Sequence, residues 1–403
     1  MKTPLARRLE SVRPSNVSHI LRAATRTYLI SFAGGLPAMD LFPVDGIRAA
    51  SERVLAQGPA ALQYGDTVGY RPLREYIAAA MARRGIACTA DDVVLTSGSQ
   101  QGLDLLARAF VDPGDVVITE TPTYLAAIRV FQSCEARFLS APTDEHGIVV
   151  DALPELIERH RPKLLYTIPN FQNPSGVTLA AGRRRALVEL AERYDFTVIE
   201  DDPYGQLRYA GEDCPPIKSF DRAGQVVYVG TLSKTVAPGL RVGWTVSDPA
   251  LVATLVALKQ VADTMSSTLD QRIAFEYLQT GANGAHVERI RAVYRERYQA
   301  MDAALREHMP AGYSWTKPEG GMFLWVTGPA ALDTSELLQA ALARGVLYVP
   351  GSDFFPDESG RNCMRLSFSA CAPERIREGI RLLGALCREH GAGVPAPAPT
   401  AAR

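Results

Sequence analysis

From about Val44 onward the chain alternates between two hydrophobic patterns. Short, nearly continuous apolar runs are separated by longer stretches in which apolar positions recur every three or four residues. The first pattern suits strands buried on both faces, and the second suits helices with one buried side. The predicted strands are Asp92–Thr96, Asp115–Thr119, Lys163–Ile168, Phe196–Glu200, Gln225–Gly230 and Val242–Val246. The predicted helices are Ile47–Gln57, Arg71–Arg84, Leu103–Phe110, Gly182–Tyr194, Pro249–Val261 and Ser267–Leu278. Such alternation builds an α/β domain around a mainly parallel sheet flanked by helices.

The two ends of the chain read differently. Residues 1–44 form an arm, with a helix from Ser15 or Asn16 to about Arg26, an extended piece over Leu29–Ala33 and a turn at Gly34–Pro37. Beyond Ala285 the pattern predicts a long charged helix, His286–Met309, and an antiparallel pair, Tyr313–Thr316 with Met322–Val326. A helix over Thr334–Arg344, strands at Val346–Val349 and Cys363–Phe368, and a last helix over Pro373–Arg388 complete it. The expected organisation is therefore an arm (1–44), a large domain (45–285), a smaller α+β domain (286–389) and a disordered Gly/Ala/Pro/Thr tail (390–403).

Composition narrows the function classes. A chain of 403 residues that is 47% hydrophobic can bury a large core over about two domains. Its formal net charge of -1 lacks the basic excess of a nucleic-acid binder. The six cysteines are scattered without CxxC or metal-ligand spacing, as expected of reduced thiols in a cytoplasmic protein. No apolar run is long enough to span a bilayer, and the basic start of the chain lacks the apolar core of a signal peptide.

The candidate chemistry centres on Thr231–Trp244, between two predicted strands. Lys234 stands there at a strand end, with hydroxyls at Thr231 and Ser233 and a guanidinium at Arg241. An amine in that setting suits a Schiff base to an aldehyde whose phosphate is held by the hydroxyls and the arginine, which describes pyridoxal phosphate. A Ser-Lys pair also occurs in plain surface turns. Other pieces add weight in combination. Ser97–Gly102 follows a strand and opens a helix, a geometry that aims N–H groups at an anion. Tyr124 and the cluster Pro169–Gly176 lie just past strand ends, where open α/β sheets bind ligands. Asp201 ends another strand, where a carboxylate could keep a pyridine nitrogen protonated. Arg365 lies mid-strand in an apolar run, either as a buried ion-pair partner or as the fork for a substrate carboxylate.

These residues, in this order, resemble the fold-type I pyridoxal phosphate-dependent aminotransferases of classes I and II, in the branch of the 2-aminoadipate and kynurenine/aminoadipate aminotransferases. The resemblance runs from Phe32 to the final helix through Gly98–Gln101, Gln172–Gly176, Asp201–Tyr204, Thr231–Lys234 with Arg241, and Met364–Ser367. It implies that Lys234 is the Schiff-base lysine and proton carrier, that Asp201 pairs with the pyridine nitrogen, and that Tyr204 and Asn173 bond the ring oxygen. Tyr124 would stack on the ring, while Ser99, Gln100, Thr231, Ser233 and Arg241 would hold the phosphate. Arg365 with Asn173 would bind the α-carboxylate, and Gly35 would line the side-chain pocket. Tyr64 would reach the neighbouring subunit's phosphate, which implies a homodimer with shared sites. The expected reaction moves an amino group from an L-amino acid to a 2-oxo acid such as 2-oxoglutarate or pyruvate by a ping-pong mechanism.

Within that branch an arginine is expected near Ser18 in enzymes specific for aminoadipate, so Ser18 points to a neutral, aromatic or polar donor instead. Two rival readings suit the same residues. A lyase, racemase, decarboxylase or oxidase can be built on the same cofactor site. The effector domain of a GntR-type regulator also resembles this family, but the stretch before Phe32 is too short for a folded DNA-binding domain.

Overall fold

The structure, a computed structural model, describes residues 6–10 and 29–391. The predicted arm helix, with Ser18, and the tail after Gly391 lie outside the described residues.

Seven strands make the main sheet: β1 (Val93–Ser97), β2 (Val116–Glu120), β3 (Arg137–Ala141), β4 (Leu164–Thr167), β5 (Thr197–Asp201), β6 (Val226–Thr231) and β7 (Val242–Val246). Their order across the sheet is β3-β2-β4-β5-β6-β7-β1. Neighbours from β3 to β6 are parallel, and β7 runs antiparallel to both β6 and β1. The central strands β4, β5 and β6 are buried almost throughout, which is why they read as unbroken apolar runs. The edge strand β3 is half exposed and mixes Arg137 and Ser140 with Phe138 and Leu139, so it carries no such run and went unpredicted. The flanking helices Leu125–Ser133 and Leu153–His160 were likewise not predicted.

A second sheet of four short strands comprises β8 (Ser314–Trp315), β9 (Phe323–Thr327), β10 (Val349–Pro350) and β11 (Cys363–Ser367), in the order β8-β9-β11-β10 with antiparallel pairing throughout. The predicted strand Val346–Val349 is in fact divided. Val346–Leu347 pairs in parallel with Ile30–Ser31, whereas Val349 pairs with Arg365 in the second sheet. Tyr348 marks the switch, buried and donating its hydroxyl to the Thr334 carbonyl at 2.6 Å. The pairing with Ile30–Ser31 ties the start of the described chain to its C-terminal part.

Two helix starts differ from expectation. The helix after β1 begins at Ser99, because Gly98 at φ 76° makes the turn and Ser99 and Gln100 form the first helical turn. The long helix begins at Ala282, since Gly281 at φ 75° turns the chain there. The helix thus starts four residues before the expected His286, and the expected boundary at 285 falls inside Ala282–His308. One apolar core runs from Val117 and Tyr166 of the main sheet to Leu324 and Leu366 of the second sheet and Ile376 and Leu383 of the last helix.

Candidate active site

The parallel strands β2, β4, β5 and β6 all point their carboxyl ends at one crevice. There the chain leaves the sheet through Tyr124, Asn173, Asp201 and Lys234 respectively, as expected of a ligand site on an open α/β sheet. The second sheet closes the crevice from the other side with Arg365 of β11.

Asp201 is buried. Its Oδ2 accepts a hydrogen bond from the Tyr166 hydroxyl at 2.8 Å, whereas its Oδ1 has no partner among the described residues. Burial pushes this carboxyl up to about 7, the Tyr166 bond and the charge of Lys234 pulling the other way and Asp202 adding to the rise. The next residue, Asp202, faces the opposite side of the sheet, where it pairs with Arg84 at 2.6 Å and accepts from Asn170 and Tyr228. Strand alternation thus separates the two adjacent acids: Asp202 is fully committed to structure, while Asp201 keeps one oxygen free.

Lys234 Nζ donates to the Gly35 carbonyl at 2.9 Å. Burial, then Arg365 and Arg241, lower its ammonium to about 8, with Asp201 opposing. The reason is simple: a cation with little water around it, set near two other cations, gives up its proton early.

The anion end of the crevice is built from three turns. Thr231 Oγ1 lies 2.9 Å from Ser233 Oγ and accepts from the Ser233 backbone N–H. Arg241 sits at φ 49° and donates Nη2 to the Ser97 carbonyl at 2.9 Å. A Cβ on Gly98 would fall 2.3 Å from Arg241 Nη2, so only glycine admits this approach. Ser99 and Gln100 stand in the first turn of their helix, whose N–H groups lack intrahelical partners. The Gln100 side chain is exposed. Its neighbour Gln101 makes the side-chain bonds, accepting from the Ser97 N–H at 2.8 Å and donating to Asp263 at 2.6 Å.

Arg365 is 3% exposed. Its guanidinium donates to Asn173 Oδ1 at 2.8 Å and to the Ala33 carbonyl at 2.6 Å, both neutral acceptors. It lies over the rings of Phe323 at 4.3 Å and Phe354 at 5.0 Å. Burial lowers it to about 10. A buried guanidinium without a carboxylate partner is costly in a finished core and useful where an anionic ligand completes it. Asn173 also donates to the Tyr204 hydroxyl at 3.4 Å, and Tyr204 meets Phe323 edge-on at 5.8 Å. Tyr124 is partly buried at the same crevice, and burial pushes its hydroxyl up to about 12, with the charge of Asp201 adding to the rise. Tyr64 does not join this group: it is 78% exposed on the surface of its own chain.

Sequence reasoning missed Tyr166, Phe323, Phe354 and the Ala33 carbonyl, and it did not foresee that the Gly35 carbonyl meets Lys234. The tyrosine had a weak signal, as a polar tip inside a buried strand three residues before the Pro169–Gly176 cluster. The others depend on contacts between sheets.

A buried amine near a half-satisfied carboxyl, with an anion cup at one end of the crevice and, at the other, a guanidinium bonded to neutral acceptors and to no carboxylate among the described residues, fits pyridoxal phosphate and an amino acid. A sheet of this order carrying that set defines a fold-type I pyridoxal phosphate enzyme. The family described as aminotransferase class I and II matches residues 30–383, and the chain belongs to it. It is 45% identical to aromatic-amino-acid aminotransferase 1 of Thermococcus litoralis, covering 94% of this chain and 93% of that protein. It is 40% identical to 2-aminoadipate transaminase of Thermus thermophilus, covering 93% and 94%. The crystal structure of a kynurenine aminotransferase from Pyrococcus horikoshii, in complex with PMP, superposes with a TM-score of 0.92 at 41% identity, covering 96% of this chain and 97% of that one. The protein is thus a pyridoxal phosphate-dependent aminotransferase, transferring an amino group from an amino acid to a 2-oxo acid.

Proposed function

We propose that the crevice around Lys234 is where the amino group is exchanged, with a neutral or aromatic L-amino acid as donor and 2-oxoglutarate or pyruvate as acceptor, in ping-pong order. The observation that carries the site is the free Oδ1 of Asp201 in the crevice that holds Lys234. The donor class draws on the 45% identity to an aromatic-amino-acid aminotransferase and on Ser18 in the arm.

Pyridoxal phosphate supplies a carbonyl carbon that carries the amino group and a ring that withdraws electrons from the substrate's α-carbon. The protein does the rest. Lys234 Nζ would hold the cofactor and carry the proton taken from the α-carbon. Asp201 Oδ1 would receive the pyridine N–H, and Tyr204 and Asn173 would hold the ring oxygen. Tyr124 covers the ring. Ser99, Gln100, Thr231, Ser233 and Arg241 hold the phosphate. Arg365 and Asn173 grip the α-carboxylate and so orient the α-hydrogen toward Lys234. Gly35 leaves room for the donor's side chain.

A homodimer with shared sites accounts for exposed apolar side chains at Leu36, Met39, Val44, Leu62 and Tyr64. Tyr64 then reaches the partner's phosphate. We also read residues 45–281 as the large domain, and the rest of the described chain with the arm as the small one. The six cysteines are unpaired, which supports a cytoplasmic setting, and among the described residues no helix is long and apolar enough to cross a membrane. The test is a donor panel with both acceptors, following 2-oxo acid formation, alongside borohydride reduction and peptide mapping. Reading and site stand if aromatic or neutral donors are preferred and the label sits on Lys234. Preference for 2-aminoadipate would overturn the donor class, and a label elsewhere would overturn the site.

A further inference from the structure

We infer that Tyr166 is a positioning residue for the transfer reaction, its hydroxyl occupying Asp201 Oδ2 so that Oδ1 is the oxygen offered to the cofactor and the carboxylate stays charged beside the pyridine nitrogen. This rests on the reading above that Asp201 faces that nitrogen.

The geometry comes from strand pairing. Tyr166 of β4 lies beside Ile199 of β5, and Ile199 shares a sheet face with Asp201 two residues on. The ring spans that offset and its hydroxyl reaches Oδ2 at 2.8 Å. The side chain is fully buried and packed edge-on to Phe131 at 5.9 Å, so it has little freedom to point elsewhere. The charged and titratable groups around the pair are Lys234, Tyr124, Glu120 and the adjacent Asp202. None of these others donates a hydrogen bond to Asp201 among the described residues. Tyr166 is thus the donor that stabilises the anion there.

The consequence is electronic. A hydrogen bond to one carboxylate oxygen makes the carboxylate less basic, so a proton shared with the pyridine nitrogen stays on nitrogen. Removing the donor lets Asp201 pull that proton back. The ring then carries less positive charge and withdraws electrons less well. It also depresses the proton affinity of the lysine-bound chromophore less.

The structure supplies a matched control on the other face. Tyr228 is equally buried and donates to Asp202 Oδ2 at 3.0 Å, but Asp202 faces Arg84 rather than the crevice. Tyr166→Phe and Tyr228→Phe each delete one buried hydroxyl bonded to a carboxylate; they differ in which carboxylate it serves, and Tyr228 also accepts from Arg84 at 2.7 Å, so its loss costs at least as much stability.

The experiment compares holoenzymes of wild type, Tyr166→Phe, Tyr228→Phe and Asp201→Asn by the pH midpoint of the bound cofactor's visible absorption, and by kcat and donor KM. For Tyr166→Phe the midpoint should rise by about one pH unit and kcat fall about tenfold, with donor KM changed less than about twofold. Tyr228→Phe should lower the melting temperature but leave midpoint and kcat in place. An unmoved midpoint in Tyr166→Phe, or an equal shift in Tyr228→Phe, overturns the inference. If Asp201→Asn also fails to move the midpoint, the assignment of Asp201 itself is wrong, a separate outcome. Should Tyr166→Phe not fold, 3,5-difluorotyrosine at position 166, a stronger donor, must lower the midpoint. No shift there also overturns the inference.

Discussion

Lys234 Nζ and the Gly35 carbonyl are joined at 2.9 Å although 199 residues separate them in the chain. The bond fastens the turn that follows the arm to the amine proposed to do the chemistry. On the proposed reading, engaging the amine with the cofactor would take the donor from that carbonyl and so couple the turn at Gly34–Gly35 to the state of Lys234. Gly35 is packed tightly as well: a Cβ there would lie 3.1 Å from Phe323 Cζ, and Phe323 is one of the rings beneath Arg365.

Gly35→Ala should therefore raise the KM of donors and acceptors alike by about three- to tenfold, a displaced carboxylate fork costing on the order of 1 kcal/mol. The cofactor spectrum should not change. Steady-state kinetics with two donors of different size test this, and an effect confined to the larger donor would assign Gly35 to the side-chain pocket alone.

The cofactor-free protein should take up pyridoxal phosphate at a rate that climbs as pH passes about 8, because Lys234 is held down to about 8 and only the neutral amine attacks an aldehyde. Stopped-flow absorbance across pH 6 to 10 measures it. The sign for stability follows from the same shift. Between about 8 and the ordinary lysine value of 10.5 the unfolded chain binds the extra proton, so this group's contribution to folding stability rises with pH through that window and is absent below it.

Asp201 has the opposite sign. Its folded carboxyl keeps a proton up to about 7 while the unfolded one loses it near 3.8, so its contribution is present at low pH and lost as pH rises through about 7. Asp201→Asn should accordingly stabilise the cofactor-free protein at pH 8 by about 1–3 kcal/mol, since a buried charge with one unsatisfied oxygen is removed. The same substitution should abolish most transfer activity. Denaturant melts at pH 5 and pH 8 check it: the gain should shrink at pH 5.

Arg365→Lys should lower kcat/KM for every amino and oxo acid on the order of a hundredfold. A single ammonium cannot reproduce a planar fork held by Asn173, the Ala33 carbonyl and two phenyl faces. Cofactor content, read from the absorption spectrum, should remain at the wild-type level.

Gly98→Ala should weaken cofactor binding at least tenfold, because the new Cβ meets Arg241 and the backbone sits at φ 76°. Equilibrium dialysis of pyridoxal phosphate measures this, and unchanged affinity would show that Arg241 relaxes without cost.

Much of the parallel sheet was legible in the chain because its central strands are buried on both faces and must be apolar throughout. Lys234, Asp201 and Asn173 could be singled out as candidates because each sits at or just after the end of such a run, where the topology leaves a crevice. The edge strand Arg137–Ala141 was not, since a half-exposed strand obeys no such demand. Val346–Val349 read as one strand because hydrophobicity records burial and not partner, and the partners change at Tyr348.

The sequence by itself determined where the strands end and which reactive groups stand at those ends, since both follow from local burial and residue type. Tertiary structure alone decided how those groups are tuned. Which oxygen of Asp201 is left free, what lowers Lys234, and why Arg365 meets neutral acceptors all depend on side chains brought together from different strands and a second sheet. Such contacts span up to hundreds of residues, and desolvation and Coulomb forces act across space regardless of chain order.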